Sequence, residues 1–116
     1  MLEIFDPVNL SALKALKSVL GDDFSELIHD FNIHSSDCLL KLERAIHQTD
    51  RAAIQSLAHS LKGSALSLHA KPLAASCGEL ESLAKIATAD ELSQRVQQIH
   101  DDVKDVITAI EACAYE

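Results

Sequence analysis

The chain has 116 residues, 47% hydrophobic and 3% aromatic, with 10 basic and 18 acidic side chains for a net charge of −8. That length bounds a single domain with an aliphatic core, and the acidic balance argues against nucleic acid as the main partner. No apolar run approaches the roughly 20 residues of a membrane span, and Met1 to Asp6 lacks the basic start of a signal peptide.

Two prolines and three glycines leave little turn chemistry, so the elements are expected to be helices. Asp6-Pro7 predicts the opening of a first helix, with Asp6 as N-cap and Pro7 at its first position. Leu10, Leu13, Leu16 and Leu20 form its apolar face, and Gly21 ends it. Asp22-Asp23 then caps a long second helix, with Glu26 favouring its N-terminus. Phe24, Leu27, Phe31, Ser35, Cys38, Leu42 and Ala45 keep a 3–4 spacing to its end near Gln48. Thr49-Asp50 breaks and recaps the chain.

A third helix runs from Arg51 to about Leu68, followed by Pro72, which fits the first position of a fourth. Leu73, Cys77, Leu80 and Ala84 give the fourth helix its buried face, with Gly78 unexplained beyond close helix packing. Thr88-Ala89-Asp90-Glu91 matches the S/T-x-x-E capping box. The last helix carries Leu92, Val96, Ile99, Val103, Val106, Ile110 and Cys113, an unbroken seam of alternating 4 and 3 spacings. Asp101, Asp102 and Asp105 read as a solvated face. The expected fold is all-α: an antiparallel up-and-down four-helix bundle with an N-terminal helix capping one end, as one domain over residues 1–116.

Cys38, Cys77 and Cys113 are odd in number, far apart and at apolar positions, which reads as free thiols buried in a reducing, cytoplasmic compartment. No C-x-x-C is present. The di-metal bundle pattern needs Glu-x-x-His on two helices, and only Glu26-Leu27-Ile28-His29 fits, so no metal site is expected.

The third helix holds the chemistry. Arg51 to Gly78 contains Arg51, Lys62 and Lys71 and no acid, the longest such window in an acidic chain. With His59 at 0° and about 100° per residue, Leu57 falls near ~160°, Leu68 near ~180°, Leu61 near ~200° and Ile54 near ~220°. The apolar stripe therefore lies opposite His59, which should face solvent or a partner rather than the core. Gln55 and Lys62 flank it on one side and Ser56 and Gly63 on the other, with Leu66 two turns away. Ser64, near ~140°, reads first as a packing residue. Glycine inside a helix costs about 1 kcal/mol relative to alanine, so Gly63 beside an outward histidine suggests that another molecule must come close. Neutral imidazole is a competent nucleophile near neutral pH, and a lysine one turn away offers a cation to a phosphoryl group.

His59-Ser60-Leu61-Lys62-Gly63-Ser64-Ala65, followed by Leu68, Ala70, Leu73, Cys77, Leu80 and Glu81, resembles the histidine-containing phosphotransfer (HPt) domain of bacterial phosphorelays. One departure is His69, where that family usually has glycine. The resemblance implies that His59 accepts a phosphoryl group from a receiver-domain phospho-aspartate and passes it to another receiver aspartate. It implies Lys62 as the phosphoryl-stabilising cation, and the residues that the wheel places around His59, Gln55, Ser56, Gly63 and Leu66, are the expected docking surface. The implied partners are receiver domains of a hybrid sensor kinase and of a response regulator, met by a monomer. Magnesium would belong to the receiver's acidic pocket, which the positive Arg51 to Gly78 window would complement; this chain would need no cofactor. No Gly-rich nucleotide loop is present, so ATP chemistry of its own is not expected. The alternative is a helical adaptor that binds receivers without being phosphorylated.

Overall fold

A computed structural model describes residues 6–114, and the Met1–Phe5 part of the N-terminal reading lies outside the described residues. Five helices follow in order: α1 (Leu10–Leu20), α2 (Asp23–His47), α3 (Arg51–Ser67), α4 (Lys71–Leu83) and α5 (Ala89–Ala114). Helices α2 to α5 form a closed ring in which α2 packs on α3, α3 on α4, α4 on α5 and α5 back on α2. Short connections reverse the chain between neighbours, which is the up-and-down arrangement. No helix among the described residues is long and apolar enough to cross a membrane.

Helix lengths explain α1. At 1.5 Å per residue α5 is about 39 Å long and α4 about 20 Å, so the N-terminal part of α2 and the C-terminal part of α5 outrun their partners. Helix α1 packs against both, burying Leu13 completely. Lys17 Nζ donates to the carbonyl of Cys113 at 2.8 Å, which places a cation at the C-terminal end of α5.

The caps differ in part from expectation. Asn9, not Asp6, caps α1: its Oδ1 accepts from the Ala12 amide at 3.1 Å, so Pro7 precedes the helix instead of opening it. Val8 is then free to bury at 1% exposure, while Leu10 turns outward at 46%. Asp22 flanks α2 with no side-chain cap bond. Asp50 caps α3 by accepting from the Ala53 amide, and Thr88 caps α5 by accepting from that of Glu91. Lys71, not Pro72, is the first residue of α4.

Both turns around α3 need a left-handed residue. Thr49 (φ 52°) ends α2 and His69 (φ 57°) ends α3. At each, the amide of the left-handed residue and the next one bond back to the helix: Thr49 to Ile46 and Asp50 to Ala45, His69 to Leu66 and Ala70 to Ala65. That is the Schellman pattern, usually completed by glycine.

The core is aliphatic, as composition requires. Ile54, Ala58, Leu61 and Ala65 of α3 are fully buried, as are Leu73, Cys77 and Leu80 of α4. Truncating Leu61 to alanine at such a site costs about 2–5 kcal/mol. The whole α5 seam from Leu92 to Cys113 is buried. Asp102 does not share the expected solvated face: it is 7% exposed and accepts from Ser76 Oγ at 2.6 Å and Gln98 Nε2 at 2.9 Å. Cys38, Cys77 and Cys113 are free and buried.

Candidate functional site

Burying Ile54, Leu61 and Leu68 fixes the rotation of α3 and leaves His59 pointing outward, its side chain 69% exposed. Burying Leu80 and Cys77 does the same for α4 and turns Glu81 toward α3. The two helices meet through these polar groups. Glu81 Oε2 lies 2.9 Å from His59 Nδ1, and Glu81 Oε1 accepts from Lys62 Nζ at 2.7 Å.

One carboxylate thus bridges an imidazole and an ammonium. Its pKa lies below the ordinary carboxylate value, chiefly because of the hydrogen bond from Lys62; partial desolvation works the other way, and the bond from His59 adds to the lowering. An ionised carboxylate only accepts hydrogen bonds, so Nδ1 is the protonated ring nitrogen and donates. The lone pair then sits on Nε2, the nitrogen turned away from Glu81. Held ring, fixed tautomer and outward lone pair are what a nucleophilic imidazole requires.

Glu81 was legible only as part of the Cys-x-x-Leu-Glu resemblance. Wheel reasoning on α3 alone places no α4 side chain beside His59. A Cβ added at Gly78 would lie 3.6 Å from Lys62 Cδ, an ordinary van der Waals contact, so the Lys62 stem passes over α4 there but does not require the glycine.

The other expected site residues lie on the outer face of α3. Ser56 and Gly63 are exposed, Gln55 is half-buried, and Leu66 is 53% exposed. A Cβ at Gly63 would meet nothing within 4 Å, so no packing inside the protein accounts for this glycine. Ser64 is half-buried beside a groove between α2 and α3.

The positive window is a correction. Arg51 Nη1 donates to the carbonyls of Ala84 and Ala87 at 3.0 and 2.7 Å, tying the end of α4 to the start of α3. Lys71 opens α4, and Lys62 is paired with Glu81. Charges close in sequence are thus dispersed by the fold, and only Lys62 stands beside His59.

A helical bundle that displays an outward imidazole hydrogen-bonded to a carboxylate of the neighbouring helix has the make-up of a histidine phosphotransfer module. Residues 26–112 match the Hpt domain, and the chain belongs to that family. Among solved structures, it is similar to histidine-containing phosphotransfer protein B (HptB) from Pseudomonas aeruginosa PAO1, with a TM-score of 0.84 and 25% identity over 91% of this chain and 92% of that one. No curated protein matches the sequence. Hpt domains interact with receiver domains in phosphorelays, and that is the general setting in which this site is to be read.

Proposed function

We propose that this protein is a phosphorelay intermediary whose acceptor is His59. The Nε2 lone pair attacks the phosphorus of a receiver phospho-aspartate, and the bond from phosphorus to the aspartate oxygen breaks. The aspartate leaves as a carboxylate with the electron pair. The ring, now phosphorylated on Nε2 and still protonated on Nδ1, is cationic, and Glu81 lies against that charge at 2.9 Å. Lys62, its side chain 32% exposed, holds Glu81 with one hydrogen, and its ammonium has others for phosphoryl oxygens. The second transfer reverses these steps toward a response-regulator aspartate. Magnesium belongs to the receiver's acidic pocket in both transfers. Gln55, Ser56, Gly63 and Leu66 form the surface on which the receiver of a hybrid sensor kinase, then that of a response regulator, docks in turn on a monomer. Free buried thiols fit a reducing, cytoplasmic setting.

The observation that carries this reading is the His59–Glu81 hydrogen bond, which a purely adaptor surface has no use for. Incubation with a cognate phosphorylated receiver should place one acid-labile phosphate on each chain. His59→Gln should abolish it with the melting transition little changed, because the side chain is exposed. Label retained at the wild-type level would end the assignment. Receiver binding with no label on the wild type would leave the adaptor.

A further inference from the structure

Helix α2 carries, besides its buried face, a line of residues at alternating 4 and 3 spacings that faces solvent. Glu26 and Asp30 head it, Ile33, Asp37 and Leu40 hold its middle, and Arg44 and His47 end it; all are exposed. Ile33 and Leu40 are 57% and 58% exposed, among the few large apolar side chains left outside the core. They are two turns apart and share one stripe of the helix. Charge is sorted along the same line. Its first half is acidic, and its second half carries Arg44 and His47, with Lys41 beside them. None of the salt bridges among the described residues includes Glu26, Asp30, Arg44 or His47. Asp37, at the centre, is already matched by Lys41 at 2.9 Å.

Any surface helix has an exposed line; this one is set apart by being its own complement. A copy of α2 turned end over end about a two-fold axis between Ser36 and Asp37 sets its Leu40 against Ile33 and its His47 against Glu26. Its Arg44 comes within one residue of the position opposite Asp30, a gap that a long guanidinium side chain spans. We propose that the outer face of α2 is a self-association surface, on which a second copy of this chain packs antiparallel. Apolar contact at the centre supplies the affinity, and opposite charges toward both ends fix the direction. A parallel pair would set acid against acid and base against base. The seam buries two large apolar residues per copy, far short of a permanent dimer, so the pair is weak and forms with rising concentration. Monomers remain the species that meets a receiver at low concentration. His59 opens on the α4 side of α3, where it meets Glu81, so a copy seated on α2 leaves it uncovered. The proposal therefore stands apart from the phosphoryl relay.

Sedimentation of the full chain reads the association directly. The weight-average mass should rise from 12.6 kDa toward twice that value between about 10 μM and about 1 mM. Leu40→Glu should weaken the pair by about tenfold or more with the helical melt retained. Asp30→Arg and Arg44→Asp each set like charges opposite one another, so each variant alone should also weaken the pair by about tenfold. An equimolar mixture of these two variants should recover it, because each supplies the charge that the other lacks. A wild type still monomeric at about 1 mM, a mixture no tighter than its components, or a Leu40→Glu variant that associates like its parent would each overturn the proposal. So would a monomeric parent whose Leu40→Glu variant loses affinity for a receiver, which would assign the face to the receiver instead.

Discussion

Helix α4 presents a polar contact on each side, and the two differ in kind. Toward α3 it offers Glu81 to an exposed imidazole and a lysine. Toward α5 it offers Ser76 to Asp102, a carboxylate that is 7% exposed and held by a hydroxyl and an amide. Both carboxylates have both oxygens engaged. At Asp102 the partners are neutral and enclosed, so the contact fixes how α4 and α5 sit together. At Glu81 one partner is an imidazole facing solvent, so the contact sets a tautomer. The cysteine between them follows the interior: burial first, then the Asp102 charge, pushes the Cys77 thiol up to about 12, and it stays an inert apolar filler.

The largest expected effect separates the two sides by function. Glu81→Gln removes the charge that fixes the His59 ring and should slow phosphoryl uptake by about tenfold or more, with the melting temperature nearly unchanged. Asp102→Ala should do the reverse. It leaves Ser76 and Gln98 without their acceptor and should lower stability by about 1–3 kcal/mol in denaturant titration, while transfer by the folded fraction stays near wild type. Equal effects of both variants on both measurements would collapse the distinction.

A titration sharpens the Glu81 side. Its carboxyl is depressed below the ordinary glutamate value of 4.5. The stability it contributes is therefore in place above pH 4.5 and is lost as pH falls through its lower folded value. Carboxyl-carbon NMR should show a midpoint below 4.5. Lys62→Met should raise that midpoint more than His59→Gln does, because the Lys62 hydrogen bond is the largest cause. The opposite order would mean that the imidazole, not the lysine, holds the charge.

The smallest effects test the turns that bring α3 into line with its neighbours. His69→Gly should leave stability equal or raise it by up to about 1 kcal/mol, since glycine adopts φ 57° without steric cost. Thr49→Gly should gain at least as much, because a β-branched residue at φ 52° is the more strained. Denaturant midpoints decide both, and a loss at either position would reveal a side-chain role there. Neither change should alter transfer.

Much of this was legible in the sequence. The α5 seam, the Thr88 capping box, the α3 stripe and the outward His59 follow from helical periodicity, which is a local property of the chain. The left-handed conformation found at His69 matches the glycine usual at that position in the family. Local rules put the first cap at Asp6, whereas with Val8 docked in the core the helix is capped by Asn9. The Asp101, Asp102 and Asp105 cluster looked uniform along the chain, yet burial took Asp102 alone, because α4 lies across that side of α5. The positive window dissolved for the same kind of reason: Arg51 found carbonyls on α4 to satisfy. Periodicity thus determined which way each helix faces and that His59 points outward. What stands next to that imidazole depends on a second helix 22 residues away in sequence. Only the packing of α4 against α3 put Glu81 on Nδ1, and with it the free electron pair on the outward nitrogen.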